Sequence, residues 1–290
     1  MIHEIQAKTL LAHITRPDPW FGIKYNMNIY RGCQHQCIYC DSRSECYGIE
    51  DFTDVLVKVN AIELLERELP RKRVKGLIGT GSMSDPYLPA ERDYRLTRQA
   101  LEVIARLRFP VHLITKSDLV LRDADVLADI QRVRAAVSFT ITTPHDDLAL
   151  RLEPGAPPSS RRFAALADLA ARGIEAGVTM MPILPWIEDA EEDVVAILRC
   201  AADCGARYVM AGFGLTMRDR QRAYFYRELD RLFPGLRERY ERAYGDRYSC
   251  PPPNVRRLQA VYEALCEELG LERRVRPYLE EPAEKQLPLF

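Results

Sequence analysis

Short apolar runs alternate with amphipathic stretches through the first two thirds of the chain. The runs are rich in β-branched residues and are typical of buried strands. They are GIKYNMNIY (22–30), VKGLIGTGS (74–82), PVHLITKS (110–117), AAVSFTITT (135–143), AGVTMMPIL (176–184) and ARYVMAGFG (206–214). Helical periodicity lies between them, near 59–69, 91–107, 123–133, 159–172 and 189–204. This alternation predicts right-handed βαβ units and a parallel sheet covered by helices.

The number of these units decides between architectures. Six units are too few for a complete eight-stranded barrel but fit a partial (β/α)6 TIM-like barrel. An ordinary doubly wound sheet remains an alternative, since periodicity does not distinguish the two. We expect an α/β fold with an N-terminal segment, a core barrel, a C-terminal helical extension and a flexible tail. Their predicted bounds are 1–21, 22–215, 216–275 and 276–290.

The global composition excludes little beyond a membrane protein. The chain has 290 residues, 47% hydrophobic content and a formal net charge of −1, so any acidic or basic partner must be inferred from local patches. No apolar run approaches the roughly 20 residues of a membrane span. The N-terminus lacks the features of a signal peptide. We therefore expect a cytoplasmic protein whose thiols stay reduced.

Three of the eight cysteines are clustered directly after the first predicted strand. Cys33, Cys37 and Cys40 occupy YRGCQHQCIYC (30–40) with the spacing C-x3-C-x2-C. In parallel α/β folds, catalytic groups gather at the carboxyl ends of the strands, which is where this loop begins. The remaining cysteines indicate ordinary packing, except that the role of Cys46 is ambiguous.

Three neighbouring cysteines can be compared with the ligand sets of an iron–sulfur cluster and of a zinc site. A cubane [4Fe–4S] cluster bound by three cysteines keeps one iron open for a small molecule. A structural zinc site needs a fourth ligand, for which His35 and Cys46 are the candidates. His35 lies between two ligand cysteines and is poorly aimed at the same metal, while Cys46 is six residues beyond Cys40. The spacing therefore favours iron–sulfur over zinc.

The cysteine loop resembles the motif of the radical S-adenosylmethionine (SAM) superfamily, including the aromatic Tyr39 before the last cysteine. The resemblance implies that Cys33, Cys37 and Cys40 hold a [4Fe–4S] cluster whose fourth iron binds SAM. It also implies reductive cleavage of SAM to a 5′-deoxyadenosyl radical, with an electron donor such as flavodoxin or ferredoxin. The superfamily's partial (β/α)6 barrel matches the six predicted strands.

Residues 20–215 are similar to the spore-photoproduct-lyase-like branch, which is related to DNA repair photolyases. The similarity is carried by GTGSMSDPYLPAERDYRLTRQAL, LITKSDLVLRDADVL, VSFTITT, RLEPGAPPSSRR and PILPWIED. It implies that SAM is contacted by Tyr39, Ser84, Lys116 and Ser138.

One segment departs from this branch. Spore photoproduct lyases carry a hydrogen-donating cysteine before the shared Asp, whereas Gly81–Asp85 here reads GSMSD and has no thiol. We therefore expect a different substrate within the same chemistry, with Cys46 a weaker candidate donor. Glu153 and the Arg161–Arg162 pair border the PGAPP turn, where we expect an ion pair rather than a substrate contact.

The last five residues, QLPLF, resemble the motif by which bacterial repair and replication proteins bind the sliding clamp. The resemblance implies that Leu289 and Phe290 enter an apolar pocket, with Gln286 and Leu287 as further contacts. Packing of the tail against the barrel is the alternative. Clamp binding would bring the enzyme to DNA, for which RKRVK (71–75) and the Arg/Tyr-rich segment 218–248 are candidate contacts.

Three hypotheses follow. The first is a radical SAM enzyme that acts on a nucleic-acid lesion or modified base, with DNA and the sliding clamp as partners. The second is a radical SAM enzyme that acts on a protein or a small molecule. The third is a non-catalytic protein that binds zinc or an iron–sulfur cluster.

Overall fold

The computed structural model describes residues 1–16 and 20–278. Its strands are short, and each predicted apolar run coincides with at least one of them. They are β1 (Ile2–Ile5), β2 (Leu11–His13), β3 (Tyr25–Met27), β4 (Tyr30–Arg31), β5 (Val55–Lys58), β6 (Ile78–Thr80), β7 (Val111–Thr115), β8 (Ala135–Thr140), β9 (Glu175–Ile183), β10 (Tyr208–Phe213), β11 (Leu215–Thr216) and β12 (Ser249–Cys250).

The helices include every predicted one. They are α1 (Ala61–Glu68), α2 (Glu91–Tyr94), α3 (Leu96–Arg106), α4 (Ala124–Ile130), α5 (Asp146–Leu152), α6 (Ser159–Ala171), α7 (Glu191–Asp203), α8 (Asp219–Leu232), α9 (Leu236–Tyr244) and α10 (Val255–Leu269). The single helix predicted over 91–107 is divided in two, because Arg95 adopts the left-handed conformation with φ +51°. Helix α5 was not predicted.

The main sheet confirms the predicted α/β fold of a partial barrel. Its strand order is β10-β9-β8-β7-β6-β3-β2. Strands β3, β6, β7, β8, β9 and β10 are all parallel, and only β2 runs antiparallel, beside β3. The six parallel strands therefore end on one side of the molecule, which brings the loops that follow them together.

A second, three-stranded sheet closes the base of the cysteine loop. Strand β5 pairs with β4 in antiparallel and with β1 in parallel orientation. Because β4 immediately precedes the cysteines, the β4–β5 pair anchors both ends of the segment 32–54. The N-terminal strand β1, which the sequence did not predict, supports this anchor.

The C-terminal extension covers the cysteine loop. Helices α8 and α9 form an apolar cluster with Cys37 and Tyr39, in which Phe225, Tyr240 and Cys250 are buried. Helix α10 packs instead on α7 and β10, where the Tyr262 hydroxyl donates a 2.7 Å hydrogen bond to the Val209 carbonyl. The predicted boundaries between core, extension and tail stay predictions.

Two smaller findings complete the fold. Cys250 and Cys266 are buried, and Cys200 and Cys204 are partly buried against the main core, in agreement with the packing role expected for them. In the described part of the chain, no helix is long and apolar enough to cross a lipid bilayer.

Candidate active site

A glycine turn directs the cysteine loop over the carboxyl ends of the parallel strands. Gly32 follows β4 with φ +77°, a conformation that L residues rarely adopt. A Cβ atom at this position would lie only 1.9 Å from the carbonyl oxygen of Asp54. The backbone of the loop therefore approaches its own far end so closely that only glycine fits.

The loop brings the three clustered thiols to one cavity of about 460 Å³. Cys33 and Cys37 are buried, and Cys40 is partly exposed. Burial and the charge of Asp85 raise the pKa of the Cys33 thiol to about 12. Burial also raises the pKa of Cys37. Without a metal these two thiols are protonated at neutral pH, whereas a bound iron would take the place of the proton.

The rest of the cavity is built by residues at the carboxyl ends of several parallel strands and in the segments that follow them. Its volume lies in the range typical of small-molecule sites. The lining residues outside the loop 33–47 are Gly81, Ser82, Met83, Ser84, Asp85, Ile114, Thr115, Lys116, Thr140, Met181, Pro182, Gly212, Gly214, Leu215 and Thr216.

Three of the four residues predicted to contact SAM line this cavity. Tyr39 stands in the cysteine loop, Ser84 follows β6 and Lys116 follows β7. The Lys116 ammonium lies 5.7 Å from the centre of the Tyr39 ring. The Ser84 hydroxyl donates a 2.6 Å hydrogen bond to the Gly32 carbonyl, so this serine also holds the loop. Their contact with SAM stays a prediction.

Ser138, the fourth, lies deeper in the barrel. It is fully buried and hydrogen-bonded at 2.7 Å to His112 Nε2 and at 2.8 Å to the Tyr208 hydroxyl. It is not among the residues that line the cavity, whereas Thr140 is. Residues two apart on a strand share a face, so Thr140 occupies the next layer toward the carboxyl end. The geometry favours Thr140 over Ser138 as a ligand contact, and the polar alternation along β8 was the available signal.

A buried ion pair lies beside Lys116, the lysine that lines the cavity. Glu153 and Arg162 are each 1% exposed and lie 2.5 Å apart, which is the ion pair expected beside the PGAPP turn. Tyr39 donates its hydroxyl hydrogen to Glu153. Lys116 lies 3.9 Å from the same carboxylate. Arg161, by contrast, points outward and pairs with Asp118.

The charges in this network keep Lys116 cationic. Burial alone would lower the pKa of Lys116, but nearby negative charge outweighs burial and raises that pKa. The charge comes from Cys37 in its ionised form, as a bound iron would leave it, and from the Glu153 carboxylate. For Glu153, burial acts to raise the pKa, and the charges of Arg162 and Lys116 outweigh it and lower that pKa. A permanent ammonium at the cavity wall suits a ligand carboxylate.

The C-terminal extension holds the cysteine loop from outside, which the sequence did not reveal. Arg220, in the first turn of α8, donates from Nε to the Arg43 carbonyl at 2.8 Å and also contacts the Ile49 carbonyl. Gln221 donates to the Tyr39 carbonyl at 3.2 Å. Ser44 donates to Asp219 at 2.7 Å. Arginines interleaved with acidic residues resemble a solvated helix face, so sequence alone gave no signal for these contacts.

Arg43 brings a buried positive charge to the loop. Its guanidinium lies 3.6 Å from the centre of the Tyr224 ring and 4.6 Å from that of Phe52. It donates a 2.7 Å hydrogen bond to the Gln36 side chain. A fixed cation beside the three cysteines favours the ionised, metal-bound form of their thiols.

The other candidate residues take different positions. His35 is buried, lines the cavity and has its Nδ1 3.9 Å from Asp85. Cys46 is exposed and is not among the lining residues. The basic stretch 71–75 precedes β6 and so lies at the opposite end of the barrel from the cavity. The predicted clamp-binding residues Gln286, Leu287, Leu289 and Phe290 lie outside the described residues.

The donor set fits a [4Fe–4S] cluster with SAM. Cys33, Cys37 and Cys40 would hold three irons, and Lys116, which lines the same cavity, would offer a cation to the SAM carboxylate. Within residues 1–16 and 20–278, no three His, Cys, Asp or Glu side chains converge as ligands of a single metal ion would. When bound, the cluster supplies the electron that cleaves SAM. The chain would hold, orient and cover both groups.

Comparisons with known proteins agree with this geometry. The family model described as the Radical SAM superfamily matches residues 27–201. An uncharacterized protein of Mycobacterium tuberculosis is 31% identical over 264 residues, which cover 88% of this chain and 77% of the relative. The Radical SAM Nalpha-GlyT isomerase of Pseudomonas phage M6 is 24% identical over 200 residues, which cover 69% of this chain and 41% of the isomerase.

Solved structures show the same fold. A mutant of spore photoproduct lyase matches with a TM-score of 0.72 at 16% identity, over 92% of this chain and 79% of the lyase. The same lyase complexed with dinucleoside spore photoproduct matches with a TM-score of 0.70 at 16% identity, over 92% and 79% of the two chains. The match to the family model, which confirms the resemblance of the cysteine loop, implies a [4Fe–4S] cluster and SAM as cofactors. The chain belongs to the radical SAM superfamily and is a radical SAM enzyme.

Proposed function

We propose that this radical SAM enzyme acts on a nucleic-acid substrate, either a lesion or a modified base. The observation that carries the proposal is the shared cavity, where three thiols of one loop face Lys116, Ser84 and Thr140. Two comparisons favour the substrate class. The lyase with this fold is complexed with a dinucleoside, and the phage relative is named as an isomerase of Nalpha-GlyT.

The reaction differs from that of the lyase in the fate of the substrate radical. Gly81–Asp85 line the cavity, and none of these five residues carries a thiol. A serine hydroxyl at Ser82 or Ser84 holds its hydrogen too strongly to quench a carbon radical. The proposed reaction therefore modifies or rearranges a base by a route that needs no cysteine donor from this segment.

The decisive experiment measures SAM cleavage in the presence of DNA. The full-length protein is reconstituted with iron and sulfide without oxygen, reduced with dithionite and supplied with SAM. We expect 5′-deoxyadenosine to form several-fold faster with ultraviolet-irradiated or base-modified DNA than without DNA. The C40A variant, which lacks one of the three loop thiols, is the control and should form none.

Other outcomes of this experiment separate the alternatives. Stimulation by a protein or metabolite fraction, with no response to any DNA, would favour the second substrate class. An intact cluster that never yields 5′-deoxyadenosine would contradict the proposed chemistry. A zinc ion at Cys33, Cys37 and Cys40 in protein purified without oxygen would contradict the cluster itself.

We also propose that Gln286–Phe290 bind the bacterial sliding clamp. Leu289 and Phe290 supply two adjacent apolar side chains at the end of a charged segment, which suits a pocket on a partner. Clamp binding is measured for the full-length chain, for a chain ending at Lys285 and for an E281A control. We expect loss of binding only in the shortened chain. Equal binding by all three would contradict the proposed clamp binding and would not affect the proposal of SAM cleavage.

A further inference from the structure

Two tyrosines and an arginine form a continuous run from the cavity to the solvent. The Arg218 guanidinium lies 5.7 Å from the centre of the Tyr47 ring and 5.6 Å from that of Tyr248. Tyr47 lines the cavity, and Tyr248 is 51% exposed. We call Tyr47, Arg218 and Tyr248 the stacking rim.

The rim is held in place by the walls of the cavity. Asp41 accepts a 3.0 Å hydrogen bond from the Tyr47 hydroxyl and lies 2.5 Å from Arg218. Tyr248 adjoins the antiparallel pair of β11 and β12, and its carbonyl accepts a 2.8 Å hydrogen bond from the Met217 amide. Because β11 itself lines the cavity, the extension places Tyr248 at the entrance.

Packing and ion pairing alone do not account for this arrangement. Tyr248 is the most exposed of the large aromatic residues in the described chain, so it gains little from burial. A partly exposed ion pair such as Arg218–Asp41 contributes little to stability. Alternating aromatic and guanidinium faces are, however, the surfaces on which proteins stack unpaired bases.

We propose that the stacking rim binds the nucleotide next to the reacting one in a single-stranded or unstacked polynucleotide. This inference rests on the proposed function and names the part of the substrate that the entrance recognises. The reacting nucleotide enters the cavity beside Tyr47. Its neighbour stacks on Tyr248 and Arg218, and the guanidinium also attracts the phosphate between them.

The test measures the binding of a fluorescein-labelled 12-residue oligothymidylate by anisotropy. The reconstituted full-length enzyme is compared with Y248A, Y248F, R218K and the control R132A. Arg132 is exposed and precedes β8, at the far end of the barrel. Stacking is worth about 1–3 kcal/mol per base, so we expect Y248A to weaken binding about tenfold. Y248F keeps the ring and should bind as the wild type does.

The dependence on salt separates stacking from charge. We expect R218K to bind more weakly than the wild type with an unchanged salt slope, because lysine keeps the charge but not the planar face. R132A should bind normally. Thermal unfolding and the absorbance of the cluster serve as checks that each variant is folded and loaded.

The experiments distinguish an error in the stacking-rim proposal from an error in the proposed function. If DNA stimulates SAM cleavage but Y248A binds the oligonucleotide as the wild type does, the proposal that the stacking rim binds a nucleotide is wrong and the proposed function stands. If the wild type neither binds the oligonucleotide nor responds to DNA, both are wrong. Equal weakening by Y248A and Y248F would also contradict stacking.

Discussion

The Ser84 hydroxyl donates a 2.6 Å hydrogen bond to the carbonyl of Gly32, and this bond joins the segment after β6 to the start of the cysteine loop. Both residues are buried. Ser84 was predicted to contact SAM. Its position shows a structural role, because its hydrogen bond ties the segment after β6 to the cysteine loop.

Substituting Ser84 by alanine should therefore destabilise the protein. A buried carbonyl left without a donor costs about 1–3 kcal/mol of unfolding free energy. Urea unfolding measures this cost, and the iron content after reconstitution should fall with it. The exposed neighbour Ser82 is the control, and S82A should change the unfolding free energy by less than about 0.5 kcal/mol. Equal stability of S84A and S82A would show that the bond does not hold the loop.

Gly32 should tolerate no side chain. In G32A, the positive φ costs about 1–2 kcal/mol, and contact of the Cβ with the Asp54 carbonyl forces the loop to move. Gly173 is a matched control, because its φ of +75° is nearly the same and a Cβ there meets nothing within 4 Å. We expect G173A to bind iron normally and G32A to bind little. Full iron loading of G32A would contradict the role of this turn.

Breaking the Glu153–Arg162 pair should lower the free energy of unfolding by an amount that depends on pH. E153Q leaves Arg162 and Lys116 without their buried counter-charge, which costs about 3–5 kcal/mol at pH 7. The folded-state pKa of Glu153 lies below the value of about 4.3 for an unfolded chain. The stability it contributes is therefore fully present above that value and is lost as the pH falls through the folded-state pKa.

Urea unfolding of the metal-free full-length chain between pH 7 and pH 3.5 checks this prediction. The difference between wild type and E153Q should stay constant down to about pH 4.5 and then shrink. The variant D168N removes a carboxylate from an exposed ion pair with Arg172 and should change little. A difference that grows toward low pH would mean that Glu153 is protonated in the folded protein.

Arg220 should be needed to hold the cysteine loop against the extension. R220A removes hydrogen bonds to the carbonyls of Arg43 and Ile49, which lie on both sides of Cys46. We expect faster proteolytic cleavage within 41–54 and a several-fold lower iron occupancy. R242A, an exposed arginine on α9, is the control and should match the wild type in both. Unchanged cleavage of R220A would show that the loop is stable without the extension.

Substitutions of Lys116, Thr140 and Ser138 should differ in their effect on the affinity for SAM. K116M removes the cation that faces the cavity, and a charge-assisted hydrogen bond is worth about 1.5–3 kcal/mol, so SAM affinity should fall by at least tenfold. T140V should weaken binding by a smaller factor. S138A should lower the unfolding free energy but leave SAM affinity unchanged, because its partners are His112 and Tyr208. Equilibrium dialysis with the cluster-loaded protein measures each affinity.

The opposite result for Ser138 would be informative. If S138A weakens SAM binding while its unfolding free energy equals that of the wild type, the contact predicted from the sequence is right. In that case, the ligand reaches past the layer of Thr140 into the barrel.

Periodicity predicted the elements that repeat a regular pattern over many residues. These are the five core helices, whereas the six parallel strands were predicted from short apolar runs. Helix α5 was missed because seven residues are too short to establish a period. Strand β1 was missed because it is mostly exposed and forms only by pairing with β5, 53 residues away in sequence.

The spacing of Cys33, Cys37 and Cys40 determined the cofactor class, since ligands within one short loop need no long-range information to meet. The layer of the barrel at which Ser138 and Thr140 stand was decided by the tertiary structure, because strand register and shear are set by all neighbouring strands together. The tertiary structure also decided the positions of Arg218, Arg220 and Tyr248. In the sequence they belong to an Arg/Tyr-rich segment that is a candidate nucleic-acid contact. Only the packing of the extension brings Arg218 and Tyr248 to the entrance of the cavity and Arg220 to the cysteine loop.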